Sequence, residues 1–351
     1  MNLNGSSIGP HKDIVISSRI RIARNVDPFS FPHLLSLAAS RELLDQIEKA
    51  VEAFPDHEAD AFQLVSLKDL NQIERQTYVE NHLISPALAA NHTKAHFFMD
   101  TSRRRSIMVN EEDHIRIQCT MEGLQLEEAW NEADQLDDWL GNTLSYAFDE
   151  TYGYLTACPT NVGTGIRVSV MMHLPALSML GYISDLINAA GHLGFAVRGV
   201  FGEGSEYMGN LYQISNQNTL GPKEQEIVNH LKDISYQVIQ KERLARKNLL
   251  INRKIELDDK IHRSMGILKY ARRLTRKEAM QYLSDLKLGV TLGLINSCSL
   301  EQLQDLIEQI QPANIQKKEG SLLKDLDRDV RRAELIRSNL SQKGGNMDVH
   351  E

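Results

Sequence analysis

The sequence predicts an α+β fold, an antiparallel sheet flanked by helices and followed by an all-helical C-terminal domain. Three observations carry this. Ile14, Ile16, Ser18, Ile20 and Ile22 alternate with Val15, Ser17, Arg19 and Arg21, the period-two pattern of a strand with one buried face. Further short strand-like runs follow without the regular strand–helix alternation and Gly-rich turns of a doubly wound sheet. From Pro222 onward proline disappears except at Pro312, and Lys, Arg, Glu, Leu and Ile dominate.

In chain order, helical periodicity follows the first strand at Ala39 to Phe54 and Asp69 to His82, then strand signals at Ala95 to Met99, Ser106 to Val109 and His114 to Met121. Glu122 to Leu144 reads as a helix rich in Glu, Asp and Leu. The middle adds strands at Tyr152 to Ala157, Ile166 to Met172, Phe195 to Phe201 and Asn210 to Ser215, and one helix from Pro175 to Ala190. Helices are expected near 223–263, 275–287, 299–310 and 320–340. The change of character places a domain boundary near residue 245, giving domains 14–245 and 246–351.

Composition narrows the function. The 351 residues are 42% apolar with net charge −8, which argues against a chain whose main work is covering nucleic acid. Residues 241–277 carry 13 Lys or Arg against 4 acidic residues, a local basic run that reads first as a solvated helical face. Cys119, Cys158 and Cys298 are odd in number and widely spaced, a reduced, cytoplasmic pattern without zinc-ligand spacing. The most apolar stretch, Val168 to Ile187, is interrupted by His173, Pro175 and Asp185, so no membrane span is expected.

The chain lacks GxxxxGK[ST], GxGxxG after a strand, and the HRD and DFG set. An ATP-binding protein of this kind must grip phosphates with side chains. Arginine suits that task, because its planar fork of donors matches phosphate oxygens and stays charged at any working pH. Five arginines sit where strands should present them: Arg19 and Arg21 in SSRIRIAR, Arg116 in NEEDHIR, Arg167 in CPTNVGTGIR and Arg198 in RGVFGE. Singly each reads as a surface residue; in these ordered contexts they do not.

VISSRIRIARN, VNEEDHIRI, CPTNVGTG and RGxxGE, in this order, resemble the catalytic domain of the phosphagen kinases, the guanidino phosphotransferases. The resemblance implies ATP with Mg2+ and an arginine clamp of Arg19, Arg21, Arg116, Arg167 and Arg198. It extends the nucleotide site to Ser17, Ser18 and Ile20, to His82 in VENHLISP, to Val168, Ser169, Val170 and Met171, and to Gly199, Val200, Phe201, Gly202 and Glu203. A guanidinium must lose a proton to attack phosphorus, and carboxylates can hold it bidentately while one accepts that proton. The resemblance assigns Glu112 as general base and Glu203 as its partner, and puts Cys158 beside the acceptor, where a thiolate would aid binding. Gly199, Gly202, Gly204 and Gly209 supply the freedom of a lid. Met171 stands where the family has a histidine, and Phe201 where it has a lid arginine.

The trimmed N-terminus, the helical C-terminal domain and GEGSEYMGNLYQISNQNTLG together resemble the bacterial protein-arginine kinases. SSRIR begins at residue 17, so the small helical domain that covers a free amino acid is expected to be absent. The C-terminal RDVRRA places Arg328 and Arg332 i,i+4 on a helix, with Asp329 between them and Ala333 at the end, matching a phosphoarginine-binding motif whose last residue is usually proline. That resemblance implies a stress-response role: marking proteins for ClpC/ClpP-type degradation, a ClpC-type chaperone, a CtsR-type repressor as substrate, and a McsA-type activator. A homo-oligomer is compatible with it. The competing readings are a kinase of free arginine or another small guanidine, a non-catalytic phosphoarginine-binding adaptor, and a nucleic-acid binder using residues 241–277.

Overall fold

The computed structural model describes residues 9–54, 62–199 and 207–341. β1 (Val15–Arg24) runs into α1 (Leu37–Glu52), whose N-cap Ser36 accepts from Ala39 N and whose Leu43, Ile47, Ala50 and Val51 are buried. β2 (Phe62–Ser66), α2 (Gln72–Glu80), α3 (Pro86–Ala90), β3 (His96–Asp100), β4 (Arg105–Val109) and β5 (Ile115–Glu122) follow. α2 opens on a capping box formed by Asn71 and Glu74.

α4 (Leu126–Thr143) leads to the two-residue strands β6 (Phe148–Asp149) and β7 (Gly153–Tyr154), then β8 (Ile166–His173), α5 (Pro175–Met179), α6 (Ile183–His192), β9 (Phe195–Gly199) and β10 (Leu211–Asn216). The single helix expected over 175–190 is two helices, because Gly181 takes φ +77 between them. The remainder is helical: α7 (Glu224–Asn252), α8 (Lys254–Tyr270), α9 (Arg276–Thr291), α10 (Leu300–Gln309), α11 (Pro312–Glu319) and α12 (Asp325–Ser341). The helix expected over 223–263 breaks at Arg253, where φ −137 and ψ 34 leave the helical region.

Among the described residues one sheet runs β2-β3-β4-β5-β1-β8-β10-β9, with β6 and β7 forming a separate pair. β1 is antiparallel to both β5 and β8, and β2-β3, β3-β4 and β4-β5 are antiparallel, as expected. α4 packs across β1 and β5, burying Leu126, Ala129, Ala133, Leu136 and Leu140 against Ile20, Ile22 and Ile117. Ser18, on the same face as those isoleucines, donates to Gly123 O at 2.8 Å and accepts from Gln125 N at 3.0 Å just before α4. The helix therefore covers the apolar side of β1 and leaves the arginine side to other work.

The chain divides into two compact units, one of residues 1–172, 187–197 and 213–237 and one of 173–186, 198–212 and 238–351. In the second unit Glu242 accepts from Ala176 N, Leu177 N and Arg246 Nε at 2.8–3.1 Å, so a buried carboxylate supplies the cap that α5 lacks in its own sequence. An apolar cavity of about 350 Å3 lies wholly in this unit, lined by Leu177, Leu180, Leu186 and Leu244. Asp185, Lys241 and Asn248 also line it.

Candidate active site

β1 carries Arg19 and Arg21 on the face away from α4. Its register with β8 sets Arg21 opposite Arg167 and Arg19 opposite Ser169, and its register with β5 sets Ala23 opposite Arg116 and Arg21 opposite Gln118. Residues directly opposite on antiparallel strands share a face, so four guanidinium side chains rise from one side of β5, β1 and β8. Arg19 Nη2 donates to Gln213 Oε1 at 2.9 Å on β10, widening the polar face by one strand.

Such crowding is costly without an anion. Burial first, then Arg116 and Arg167, push Arg19 down from the ordinary arginine value to about 10. Burial and the charges of Arg19, Arg116 and Arg167 hold Arg21 well below its usual value, with Glu111 opposing them. Arg21 Nε is buried and lacks a hydrogen-bond partner among the described residues. Arg24, three residues on in the same motif, is the opposite case. It binds Asp137 Oδ2 at 2.6 Å, donates to Ala23 O and Thr164 O at 2.9 Å each, and lies over the Tyr154 ring at 3.4 Å. One arginine is a buried structural pair; the others form a cationic array matched to several phosphate oxygens.

His82 follows the C-cap of α2 in the left-handed region, φ +58. Its carbonyl accepts from Gln118 Nε2 at 2.7 Å, so the residue facing Arg21 from β5 fixes the loop that bears His82. Gln118 was not identified from sequence, where it is one polar residue in a strand.

Glu111 and Glu112 occupy the β4-β5 turn. The Glu111 side chain is 4% exposed, pairs with Arg116 Nη1 at 2.7 Å and accepts from Ser85 Oγ at 2.6 Å. Glu112 is 44% exposed and stands 3.6 Å from Arg116 Nη2. The turn thus presents one carboxylate spent on holding Arg116 and one open to a ligand. Sequence reasoning singled out only Glu112; the adjoining acid in NEED was the available signal for Glu111. Cys158 is partly exposed, with Sγ 3.0 Å from Thr160 Oγ1, and opens the short helical turn Pro159–Asn161. Gly163 behind it takes φ +107, and an added Cβ would come within 2.5 Å of Thr219 O, so the glycine is required by a close backbone approach.

The pleat divides the residues expected at the nucleotide. Ser17, Arg19, Arg21, Arg167, Ser169 and Met171 share the arginine face. Ser18, Ile20, Val168 and Val170 are each 0% exposed and point to the opposite, apolar side, leaving only their backbone for a nucleotide; a continuous run of strand residues cannot face one ligand. Arg198 and Gly199 end β9. Val200, Phe201, Gly202 and Glu203 lie outside the described residues.

The C-terminal motif departs from two arginines opening side by side. Arg332 is 2% exposed, donating to Ile310 O at 3.0 Å, Leu274 O at 2.8 Å and Asp329 Oδ1 at 2.6 Å. Ala333 is buried, and Arg328 pairs with Asp325 nearer the surface. The i,i+4 spacing does not ensure equal exposure, because α12 turns Arg332 toward carbonyls at the ends of its neighbours.

A family profile described as "ATP:guanido phosphotransferase, C-terminal catalytic domain" matches residues 42–245. The chain belongs to the ATP:guanido phosphotransferase family. A second profile, "Protein-arginine kinase McsB C-terminal domain", matches residues 254–349 of this phosphotransferase. Two relatives named "Protein-arginine kinase" are similar almost throughout: that of Geobacillus stearothermophilus is 49% identical over 95% of this chain and 92% of its own, and that of Caldanaerobacter subterraneus subsp. tengcongensis 45% identical over 95% and 98%. Among solved structures, a duplicated taurocyamine kinase from Schistosoma mansoni aligns with TM-score 0.61 at 24% identity, covering 71% of this chain and 35% of that one. A lombricine kinase aligns with TM-score 0.58 at 23% identity, covering 68% of each. The fold and the family expected from the motifs are both borne out.

Proposed function

We propose that this phosphotransferase moves the γ-phosphate of ATP to the guanidinium of arginine residues in proteins. The observation that carries the reading is the cationic face of Arg19, Arg21, Arg116 and Arg167, whose mutual repulsion a triphosphate would relieve, beside the exposed carboxylate of Glu112. The donor set fits that anion: fixed charges on rigid strands, with Arg21 Nε–H lacking an acceptor among the described residues. Mg2+ would be held mainly by phosphate oxygens and water, supplying further charge neutralisation at the transferred group.

Arg19, Arg21, Arg116 and Arg167 hold the phosphates in line with the acceptor nitrogen, which is most of what phosphoryl transfer asks of a protein. Glu112 takes the N–H proton as the nitrogen–phosphorus bond forms and the bond to the ADP oxygen breaks. The family resemblance adds Glu203 as a second acceptor carboxylate, and Cys158 as a thiol beside the guanidinium. Glu111 keeps Arg116 aligned through the 2.7 Å pair.

Arginine within proteins, rather than a free guanidine, is favoured by the relatives' name and by their similarity over nearly the whole chain. The ClpC/ClpP-type route, the CtsR-type repressor, the McsA-type activator and cytoplasmic stress response belong to the same reading; among the described residues no helix is long and apolar enough to cross a membrane. RDVRRA would be a second, regulatory phosphoarginine site, with Arg328 its accessible cation. Mass-spectrometric localisation of phosphate after incubation with ATP, Mg2+ and casein tests the acceptor. Phosphate on arginine supports the proposal, whereas phosphorylation of free L-arginine in preference to casein would favour the small-guanidine reading.

A further inference from the structure

The turn that bears Glu112 and the segment that bears Cys158 are far apart in sequence, yet one buried carboxylate joins them. Asp113 is 1% exposed, and its Oδ1 accepts from Ala157 N at 2.7 Å and from Asn25 Nδ2 at 2.7 Å. Asn25, at the end of β1, is equally buried. Its Nδ2 also donates to Leu155 O at 3.0 Å, its Oδ1 accepts from His114 N at 2.9 Å, and its backbone carbonyl accepts from Ala147 N at 2.8 Å. The amide cannot flip, because Oδ1 would then face Leu155 O and Nδ2 the His114 N–H.

His114 closes the same knot. Its Nδ1 accepts from Val26 N at 3.0 Å and its Nε2 donates to Ser30 O at 2.9 Å. Burial pushes this imidazole down, against Ser30 O, Asp113 and Asp27, so it remains neutral. The turn itself is closed by Asn110 N to His114 O at 3.0 Å and Glu111 N to Asp113 O at 3.2 Å.

The arrangement is not what stability alone would select. Asp113 Oδ2 is buried without a hydrogen-bond partner among the described residues, and burial pushes the carboxyl up, with Ala157 N–H, Asn25 and Arg116 pulling it back and Glu111 adding to the rise. Retaining a half-satisfied buried acid is costly, and such sites are where a fold departs from its own rules for function. The acid lies one residue after Glu112 and bonds the residue just before Cys158.

We propose that Asp113, oriented by Asn25, is a positioning residue that locks the Glu111–Glu112 turn to the Cys158 segment, so that carboxylate and thiol meet one acceptor guanidinium in fixed register. The inference rests on the functional reading above for its consequence, though not for its geometry. A displaced tie would move Glu112 and Cys158 while leaving the strand-borne arginines in place.

The test uses the full chain with Asp113→Ala and Asp113→Asn. Asparagine keeps an oxygen that can accept from both Asn25 and Ala157, and alanine removes it. Cys119 and Cys298 are buried, so iodoacetamide reports on Cys158. Asp113→Ala should lower kcat for casein phosphorylation at least ~10-fold with KM for ATP within about 2-fold, and change the Cys158 alkylation rate at least ~3-fold. Asp113→Asn should restore both to within about 3-fold of the parent. Unchanged kcat and Cys158 rate in a folded Asp113→Ala protein would overturn the proposal, and so would an Asn variant as impaired as the Ala variant. If Asp113→Ala does not fold, the Cys158 rate of Asp113→Asn decides, a change beyond ~3-fold refuting the tie. A Cys158 rate that follows Asp113 in a protein that phosphorylates nothing would sink the functional reading and keep the tie.

Discussion

Arg19→Met separates an arginine that serves a ligand from one that serves the fold. Methionine keeps much of the stem and removes the charge. With Arg19 pushed down to about 10 from the ordinary arginine value, the native state binds this proton less tightly than the unfolded chain, at a cost on the order of 3 kcal/mol. For a base with a depressed value the cost is fully present below pH 10 and relieved only as pH rises toward the unfolded value, so neutral solutions bear all of it. Removing the charge should therefore leave the ligand-free protein as stable as the parent or more so, with the lost 2.9 Å bond to Gln213 offsetting part of the gain. ADP·Mg2+ affinity should fall by roughly 10- to 100-fold, one charge-assisted phosphate contact being worth about 1.5–3 kcal/mol. Arg24→Met should do the reverse, costing on the order of 3–5 kcal/mol by stranding Asp137 and changing nucleotide affinity little beyond that. Chemical denaturation with and without ADP·Mg2+, and calorimetry, read both effects. The reasoning fails if Arg19→Met strongly destabilises the ligand-free protein while binding nucleotide normally.

Glu111→Gln should reduce phosphoryl transfer about 10-fold or more while altering ADP·Mg2+ affinity less than Arg19→Met does, because it loosens Arg116 rather than removing it; steady-state kinetics with ATP varied would show the split. Gly163→Ala forces a Cβ against Thr219 O and should cost about 1–3 kcal/mol in denaturant melts. Arg332→Met should destabilise the second unit by roughly 2 kcal/mol or more, since Leu274 O and Ile310 O lose a buried donor. Arg328→Met should fall within about 0.5 kcal/mol of the parent and still abolish phosphoarginine binding outside the active site, read by calorimetry on a Glu112→Gln background. Phosphoarginine binding unchanged by Arg328→Met would reduce RDVRRA to a structural helix.

The strand that matters most was legible because its alternation holds from Ser17 to Ile22: Ile20 and Ile22 inward forces Arg19 and Arg21 outward, and the register adds Arg116 and Arg167. Before Ser17 a register shift buries Val15 and leaves Ile16 half-buried, the reverse of the faces the sequence pattern gives them. The same alternation, applied to the neighbours, separates Ser18, Ile20, Val168 and Val170 from the site, which motif extent alone does not do. The breaks at Gly181 and Arg253 were hidden inside continuous helical periodicity. α11 was missed although Pro312 at its first turn and Gly320 at φ 68 are ordinary start and stop signals, because it is short and lies between two longer patterns. β2 carries no strong apolar run and owes its strand to pairing with β3. Glu111, Gln118, Asn25 and Asp113 could not be ranked from sequence, since their importance lies in partners up to 132 residues apart, as between Asn25 and Ala157 through Asp113.

The most direct test is incubation of the parent and Glu112→Gln proteins with radiolabelled ATP, Mg2+ and casein, followed by acid and base treatment of the product. The parent should yield label that is lost in acid and kept in base, as a phosphorus–nitrogen bond requires, and Glu112→Gln should yield at least ~100-fold less while still binding ADP·Mg2+. Acid-stable label on casein, or equal label from Glu112→Gln, would contradict the account.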